Sequence, residues 1–146
     1  MFLYPARLDI KYFFYFPIVT MKTIVQTDRA PAPVGAYSQA VAFNGLLFLS
    51  GSIALHPDTG ELVQDDIQAE THQVMANIEA VLAEAGSDFG KVIKCSVFVS
   101  DILNFNAINE VYATYFDPAN APARELVEVA ALPKGVNVEI SVIAHV

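Results

Sequence analysis

The segment from Asp66 to Ala85 constrains the fold most, because it carries the longest helical repeat in a chain otherwise typical of short strands. Its apolar residues recur about every 3.6 positions and form one stripe, namely Ile67, Val74, Ile78, Val81, Leu82 and Ala85. Asp65 or Asp66 can cap the start of this helix, and Gly86 can end it. The apolar stripe needs a partner layer, which the neighbouring strands must supply.

Strand patterns lie on both sides of this helix. Strands are predicted at Lys22–Thr27, Tyr37–Phe43 and Leu46–Ser50 before it, and at Val92–Ser100, Glu125–Val129 and Asn137–His145 after it, with a second helix at Asn104–Phe116. Asn44 and Gly45 predict a two-residue hairpin turn. In the strand that starts at Val92, alternation places its apolar side chains on one face, namely Ile93, Cys95, Val97 and Val99.

The order β-β-β-α-β-α-β-β predicts an α+β protein, with one mixed sheet and two helices packed on one face. The other face of that sheet would expose apolar side chains. Because 54% of the residues are hydrophobic, covering this face by self-association is the economical arrangement. The sequence therefore predicts a homo-oligomer.

The first twenty residues differ from the rest of the chain. They are rich in aromatic residues, but Arg7, Asp9 and Lys11 interrupt the apolar stretch, which argues against a secretory signal and a membrane helix. Two interpretations remain open. Residues 1–20 are an extension upstream of a natural start at Met21, or they are an arm that packs on the domain or on a neighbouring subunit. In both cases residues 21–146 form the single domain.

Charge and cysteine content limit the classes of function. Sixteen acidic residues against eight Lys and Arg give a net charge of −8, which argues against broad contact with nucleic-acid backbones. Cys95 is the only cysteine, so no disulfide can form within the chain, and a cytoplasmic location is expected. The three histidines lack the spacing of metal ligands. We expect no metal and no cofactor, and we expect Cys95 to be a small buried side chain.

Arg124 is a candidate anion-binding residue. It is one of two arginines after residue 20, and it lies where a loop enters a predicted strand. The planar guanidinium suits bidentate binding of a carboxylate. A salt bridge to Glu125 or Glu128 is the alternative interpretation.

Glu139 is a candidate general base. Alternation in the last strand places it on the face of Asn137 and Ser141, opposite Val138 and Ile140. This face is either solvated or buried by an oligomer. Burial would disfavour the charged carboxylate and raise its pKa toward a range useful for proton transfer.

Several stretches of the chain, in this order, closely resemble the Rid (YjgF-type) reactive-intermediate deaminase family, and its RidA branch in particular. The stretches are Ala30–Gln39, Leu49–Gly51, Val97–Asp101, Asn109–Tyr112, Pro122–Val129 and Ala131–Ile140. The resemblance extends from Met21 to the C-terminus.

This resemblance implies a chorismate-mutase-like fold and a homotrimer with active sites in clefts between subunits. It implies hydrolysis of 2-imino acids, of the 2-iminobutanoate and 2-iminopropanoate type, to 2-keto acids and ammonia. Arg124 would bind the substrate carboxylate, and Glu139 would orient and deprotonate the attacking water. The remaining pocket residues would be Tyr37 from an adjacent subunit, Ser50 and Asn109 as hydrogen-bonding groups, and Gly51 through close backbone approach to the substrate.

Leu126 departs from the family pattern, since many relatives carry a cysteine two residues after the arginine. Thiol-dependent properties of those relatives therefore do not transfer to this chain. Two other functions remain open: an RNA-binding translation inhibitor or endoribonuclease, and a trimer that binds small ligands or acts as a chaperone without catalysis.

Overall fold

The computed structural model describes residues 21–146, which form a six-stranded sheet and two α-helices. Their bounds are β1 Thr23–Val25, β2 Ala40–Phe43, β3 Leu46–Ser52, α1 Ile67–Glu84, β4 Val92–Val99, α2 Phe105–Ala113, β5 Ala123–Glu128 and β6 Val138–His145. This order confirms the predicted one. Residues 1–20, and with them the prediction of an extension or arm, lie outside the described residues. No helix in the described part is both long and apolar enough to cross a bilayer.

The sheet is mixed, with the strand order β1-β2-β3-β6-β4-β5. Only β4 and β5 pair in parallel, because α2 connects them. The predicted hairpin between β2 and β3 is confirmed, since Asn44 and Gly45 have φ values of 53° and 76°. Both ends of α1 are as predicted. The Asp66 side chain accepts a hydrogen bond from the Ala69 amide at 2.7 Å, and Gly86 follows the helix with a φ of 73°.

The two helices pack on one face of the sheet and form the core. Val138, Ile140 and Val142 of β6 point into this core, where Val74 and Ile78 of α1 are also buried. Apolar side chains on the opposite face are partly exposed, namely Ile24, Phe43, Leu46, Phe48 and Val127. Within residues 21–146 the apolar face is therefore uncovered, as predicted, whereas the homo-oligomer, the trimer and the chorismate-mutase-like arrangement stay predictions.

One detail of β4 differs from the prediction. Ile93 is 46% exposed, whereas Val92 is only 7% exposed. Val92 pairs with Ala144 and Lys94 with Ile143, so Ile93 is an extra residue in this strand. Such a β-bulge resets the alternation of side chains between the two faces. The prediction that Ile93 shares the buried face with Cys95 is therefore wrong.

Candidate active site

A cavity of ≈ 410 Å³ opens beside the end of β3. Four of the six predicted site residues line it, namely Tyr37, Ser50, Gly51 and Glu139. The Pro-rich loop before β2 forms one wall, α1 supplies Asn77 and Ile78, and Lys134 lies at the cavity from the loop before β6. A single chain therefore brings most of the predicted pocket together.

The side chain of Gln39 holds the Pro-rich loop in place. Its buried amide oxygen accepts a hydrogen bond from the Thr27 amide at 2.7 Å. Its amide nitrogen lies within 3.1 Å of the carbonyl oxygens of Thr27, Ala30 and Pro31. These contacts fix the wall that carries Tyr37, which is half exposed and lines the cavity.

Ser50 and Gly51 lie in a bulge of β3. Leu49 pairs with Val142 and Ser52 with Ile140, so two residues of β3 face one residue of β6. The Ser50 hydroxyl donates a hydrogen bond to the Ser38 carbonyl at 2.7 Å. The lone pairs of the Ser50 oxygen can therefore accept a hydrogen bond from a ligand. Bulges often re-aim side chains next to active sites, and this one brings the β3 backbone beside Glu139.

Gly51 leaves room for the Glu139 carboxyl group. A Cβ atom at position 51 would lie 2.8 Å from Cδ of Glu139 and would clash with its Oε1. The resemblance implied a different role, in which the Gly51 backbone approaches the substrate. The structure shows in addition that the missing side chain creates the space that Glu139 occupies, while the approach of the Gly51 backbone to the substrate stays a prediction.

Glu139 lies on the predicted face of β6 and is partly buried. Among residues 21–146, no side chain or amide donates a hydrogen bond to its carboxyl group or forms an ion pair with it. Burial therefore raises the pKa of Glu139 above its ordinary value. The carboxyl group is chemically suited to accept a proton from a bound water.

The start of β6 is anchored to α1 by a buried carboxylate. Glu70 accepts hydrogen bonds from the Asn137 backbone amide at 2.6 Å, from the Asn137 side chain at 2.8 Å and from the Val138 amide at 3.3 Å. Since Glu139 is the next residue, these contacts fix the strand that carries it.

Arg124 lies away from this cavity, in the second position of β5. Its Nη1 donates to Oδ1 of Asn109 at 2.9 Å, so these two predicted site residues are together. The centroid of the Tyr112 ring lies 4.6 Å from the guanidinium carbon, and that of Phe105 lies 5.9 Å away. The guanidinium has further N–H groups that no described residue binds.

The predicted alternative of a salt bridge to a neighbouring acid is not formed. Glu125 pairs instead with Lys94 at 3.2 Å. Glu128 accepts a hydrogen bond from the Ile102 amide at 3.0 Å. In the described part of the chain, Arg124 therefore has no acidic partner.

Arg124 and Glu139 point to opposite faces of the sheet. Arg124 pairs with Cys95 of β4, and Glu139 pairs with Phe98, three residues further along the same strand. Directly paired residues share a face, and residues an odd number apart on one strand do not. The prediction that the two side chains share one site is therefore not met within one chain.

Two residues at these sites were missed by the sequence analysis. Tyr112 was given no role at the site, although its spacing of three from Asn109 places both on one side of α2. Lys134 lies at the cavity with a φ of 58°, which is uncommon for a residue other than glycine. No sequence signal distinguished Lys134 from an ordinary turn residue.

Metal and thiol chemistry find little support in the described residues. Residues 21–146 contain no group of three His, Cys, Asp or Glu side chains arranged to hold a metal ion. Cys95 is 1% exposed, which confirms its prediction as a buried side chain. Burial also raises the pKa of its thiol, which disfavours the reactive thiolate.

Comparisons with known proteins agree with this fold. The sequence model of the family described as Endoribonuclease L-PSP matches residues 27–146. The 2-iminobutanoate/2-iminopropanoate deaminase of Rattus norvegicus is 43% identical over 85% of this chain and 90% of the rat protein. The structure of YyfA from Yersinia pestis, described as a member of the conserved Rid protein family, has a TM-score of 0.84 and 49% identity, covering 86% of this chain and 100% of that chain.

A solved structure with a bound small molecule is also similar. E. coli TdcF with bound serine has a TM-score of 0.80 and 40% identity, covering 85% of this chain and 98% of that chain. The family match extends over residues 27–146. The rat deaminase is similar over most of its own length and of this chain, and the Yersinia pestis structure has the same fold. From its sequence and its α+β fold, this chain belongs to the Rid (YjgF-type) family.

Proposed function

We propose that two copies of this chain complete one active site that hydrolyses 2-imino acids to 2-keto acids and ammonia. The observation that carries the proposal is the division of the site. Among residues 21–146, no cation pairs with the partly buried Glu139 in one half, and no acidic side chain pairs with Arg124 in the other half. The rat relative is named for this reaction, and the TdcF structure holds serine, a small molecule with a carboxylate and an amino group.

The uncovered apolar face of the sheet supports the role of a second copy. The Glu139 half and the Arg124 half are different surfaces, so joining them makes a head-to-tail contact. Such contacts close into a ring when the rotation between copies allows it. A homotrimer with three sites between subunits, as the family resemblance implies, is one such ring.

The proposed chemistry needs an anion-binding group and a base. Arg124, held by Asn109, would bind the substrate carboxylate through two parallel hydrogen bonds. Glu139 would take a proton from a water molecule while the water oxygen bonds to the carbon of the protonated imine. That proton would pass to the nitrogen of the tetrahedral intermediate. As the C–N bond breaks and ammonia leaves, the carboxylate of Glu139 would take the proton of the remaining hydroxyl group, which forms the keto group.

Mixing two inactive variants tests the division of the site. Arg124→Ala and Glu139→Gln chains are co-expressed, and the mixed oligomers are assayed for release of 2-oxobutanoate from the imine that a threonine dehydratase produces. If one copy supplies Arg124 and the next supplies Glu139, about a quarter of the sites in randomly mixed rings hold both residues. We therefore expect activity near a quarter of the wild-type value.

Each variant alone is the control for this experiment, and mass spectrometry of the intact oligomers establishes that both chains are present. Mixed oligomers without any recovered activity would contradict a site shared between copies.

Gly51→Ala is expected to lower kcat by about 10- to 100-fold, because the added methyl group displaces the Glu139 carboxyl from its place. Steady-state kinetics in the dehydratase-coupled assay measure the effect. Gly35→Ala is the matched control, since a Cβ there meets only the Tyr37 ring at an ordinary 3.6 Å. Equal kcat values for the two variants would show that the space beside Glu139 does not matter.

RNA cleavage is the second candidate, because the family is described as Endoribonuclease L-PSP. Residues 21–146 hold six Lys and Arg against fifteen Asp and Glu, which opposes binding to a phosphate backbone. Salt-sensitive cleavage of RNA that 2-oxobutanoate does not inhibit would favour this function. A trimer that binds ligands without catalysis would bind 2-oxobutanoate but would not accelerate imine hydrolysis.

The proposal places the reaction in the cytoplasm, without metal or cofactor. The single buried cysteine supports a reducing compartment. The residues proposed for the chemistry supply a cation, a base and hydrogen-bonding groups, and these suffice for hydrolysis of an electrophilic imine.

A further inference from the structure

We infer that Tyr112 is the positioning residue of Arg124, and that its ring holds the guanidinium in the orientation that binds the substrate carboxylate. This inference rests on the proposed function. Tyr112 is not among the residues that line the Glu139 cavity of its own chain. Its effect on catalysis therefore passes through Arg124.

The contact geometry supports this role. The guanidinium carbon lies 4.6 Å from the centroid of the Tyr112 ring, within the range of a cation–π interaction. Asn109 accepts a hydrogen bond from the same guanidinium at 2.9 Å. The two contacts restrain it from different directions, and the more distant Phe105 ring, at 5.9 Å, adds a third neighbour.

The Tyr112 ring is itself fixed by the core. It is 6% exposed and packs against Phe116 with ring centroids 4.7 Å apart. Phe116 in turn packs against Phe89 at 5.3 Å, and Phe89 packs against Tyr115 at 5.2 Å. An aromatic cluster of these four residues therefore gives the guanidinium a rigid surface.

The hydroxyl group of Tyr112 takes no part in this role. It is buried, no nitrogen or oxygen atom of the described residues bonds to it, and its neighbour is the Cys95 thiol, a weak hydrogen-bonding group. Because a thiol bonds weakly and a buried hydroxyl without a strong partner is unfavourable, removing the hydroxyl costs the core little. The ring, not the hydroxyl, is the part of Tyr112 that acts on Arg124.

Arg124 needs such a support because its side chain is long and lies on an edge strand of the sheet. A free arginine side chain populates many rotamers, and ordering it on binding weakens affinity. A guanidinium already held between a ring and an amide binds a carboxylate without that loss. The expected effect is therefore on binding of the anion, and not on the proton transfer at Glu139.

Comparison of Tyr112→Leu with Tyr112→Phe tests the inference. For Tyr112→Leu we expect KM for the imine, and Kd for the unreactive product 2-oxobutanoate, to rise about 3- to 30-fold. We expect kcat to change less than about twofold, because Glu139 is untouched. Tyr112→Phe keeps the ring, and we expect it to retain both the wild-type KM and the wild-type Kd.

Tyr115→Leu is the matched control, since it truncates another ring of the aromatic cluster that does not contact Arg124. We expect it to lower the unfolding temperature without raising KM or Kd. If Tyr112→Leu fails to fold, phenylalanines with one to three ring fluorines at position 112 replace it. These keep the shape of the ring and weaken its negative face, so KM and Kd should rise with each fluorine.

Three results would overturn the inference: wild-type KM and Kd in Tyr112→Leu, equal losses in Tyr112→Phe and Tyr112→Leu, or no dependence on fluorination. Failure of the proposed function would look different. In that case the wild-type chain would neither accelerate imine hydrolysis nor bind 2-oxobutanoate.

Discussion

Arg124→Ala is expected to reduce kcat/KM for 2-imino acids by about 10²- to 10³-fold or more, because a charged, hydrogen-bonded pair with the substrate carboxylate is lost. The guanidinium has no acidic partner in the described structure that would compete for it. The measurement is the acceleration of 2-oxobutanoate release over the uncatalysed reaction, with a threonine dehydratase as the source of the imine.

Arg124→Lys is the informative control, since it keeps the positive charge but not the planar pair of donors. We expect intermediate activity from it. Circular dichroism and the oligomeric state establish that the Ala variant is folded. A folded Arg124→Ala oligomer with unchanged turnover would remove Arg124 from the site, and with it the proposed mode of substrate binding.

Glu139→Gln is expected to lower kcat by about 10²- to 10⁴-fold with little change in KM, because the amide occupies the same space but cannot accept the proton of water. The pH dependence has a definite sign. Burial raises the pKa of Glu139, and only the ionised form is a base, so activity falls as the pH drops through that pKa. This fall should be absent from the residual activity of Glu139→Gln.

A change in KM alone, or a pH profile with the same acid limb as the wild type, would show that Glu139 is not the base. The stability of the variant gives an independent check on its environment. Because the raised pKa means that the folded state binds a proton more readily than the unfolded chain, Glu139 destabilises the protein as the pH rises through that pKa. We therefore expect Glu139→Gln to unfold at the wild-type temperature or above it at pH 8.

Local sequence patterns predicted most of the fold. The stripe between Asp66 and Ala85, with its capping aspartate and terminal glycine, located α1, and Asn44-Gly45 located the hairpin. These features depend on residues close together in the chain, so local sequence patterns are enough to predict them. The bulge at Ile93 was missed, because the side-chain pattern of β4 does not show how it pairs with β6.

For the candidate site too, the sequence predicted some features, and the tertiary structure decided others. All six residues were predicted for one pocket, but only Tyr37, Ser50, Gly51 and Glu139 line the cavity of one chain, whereas Asn109 binds Arg124 away from it. Gly51 leaves space for the Glu139 carboxyl group because β3 has a bulge at this position. No local sequence pattern predicts that bulge. The Tyr112 ring beside Arg124 follows from how α2 lies over β5.

The sequence by itself determined which elements form, which face of each is apolar, and which residues carry a charge or a proton-accepting group. Only the tertiary structure decided that Arg124 and Glu139 lie on opposite faces of one sheet. The reason is physical: a residue's conformation responds to its near neighbours in the chain, whereas the direction of its side chain relative to a distant strand depends on register and bulges.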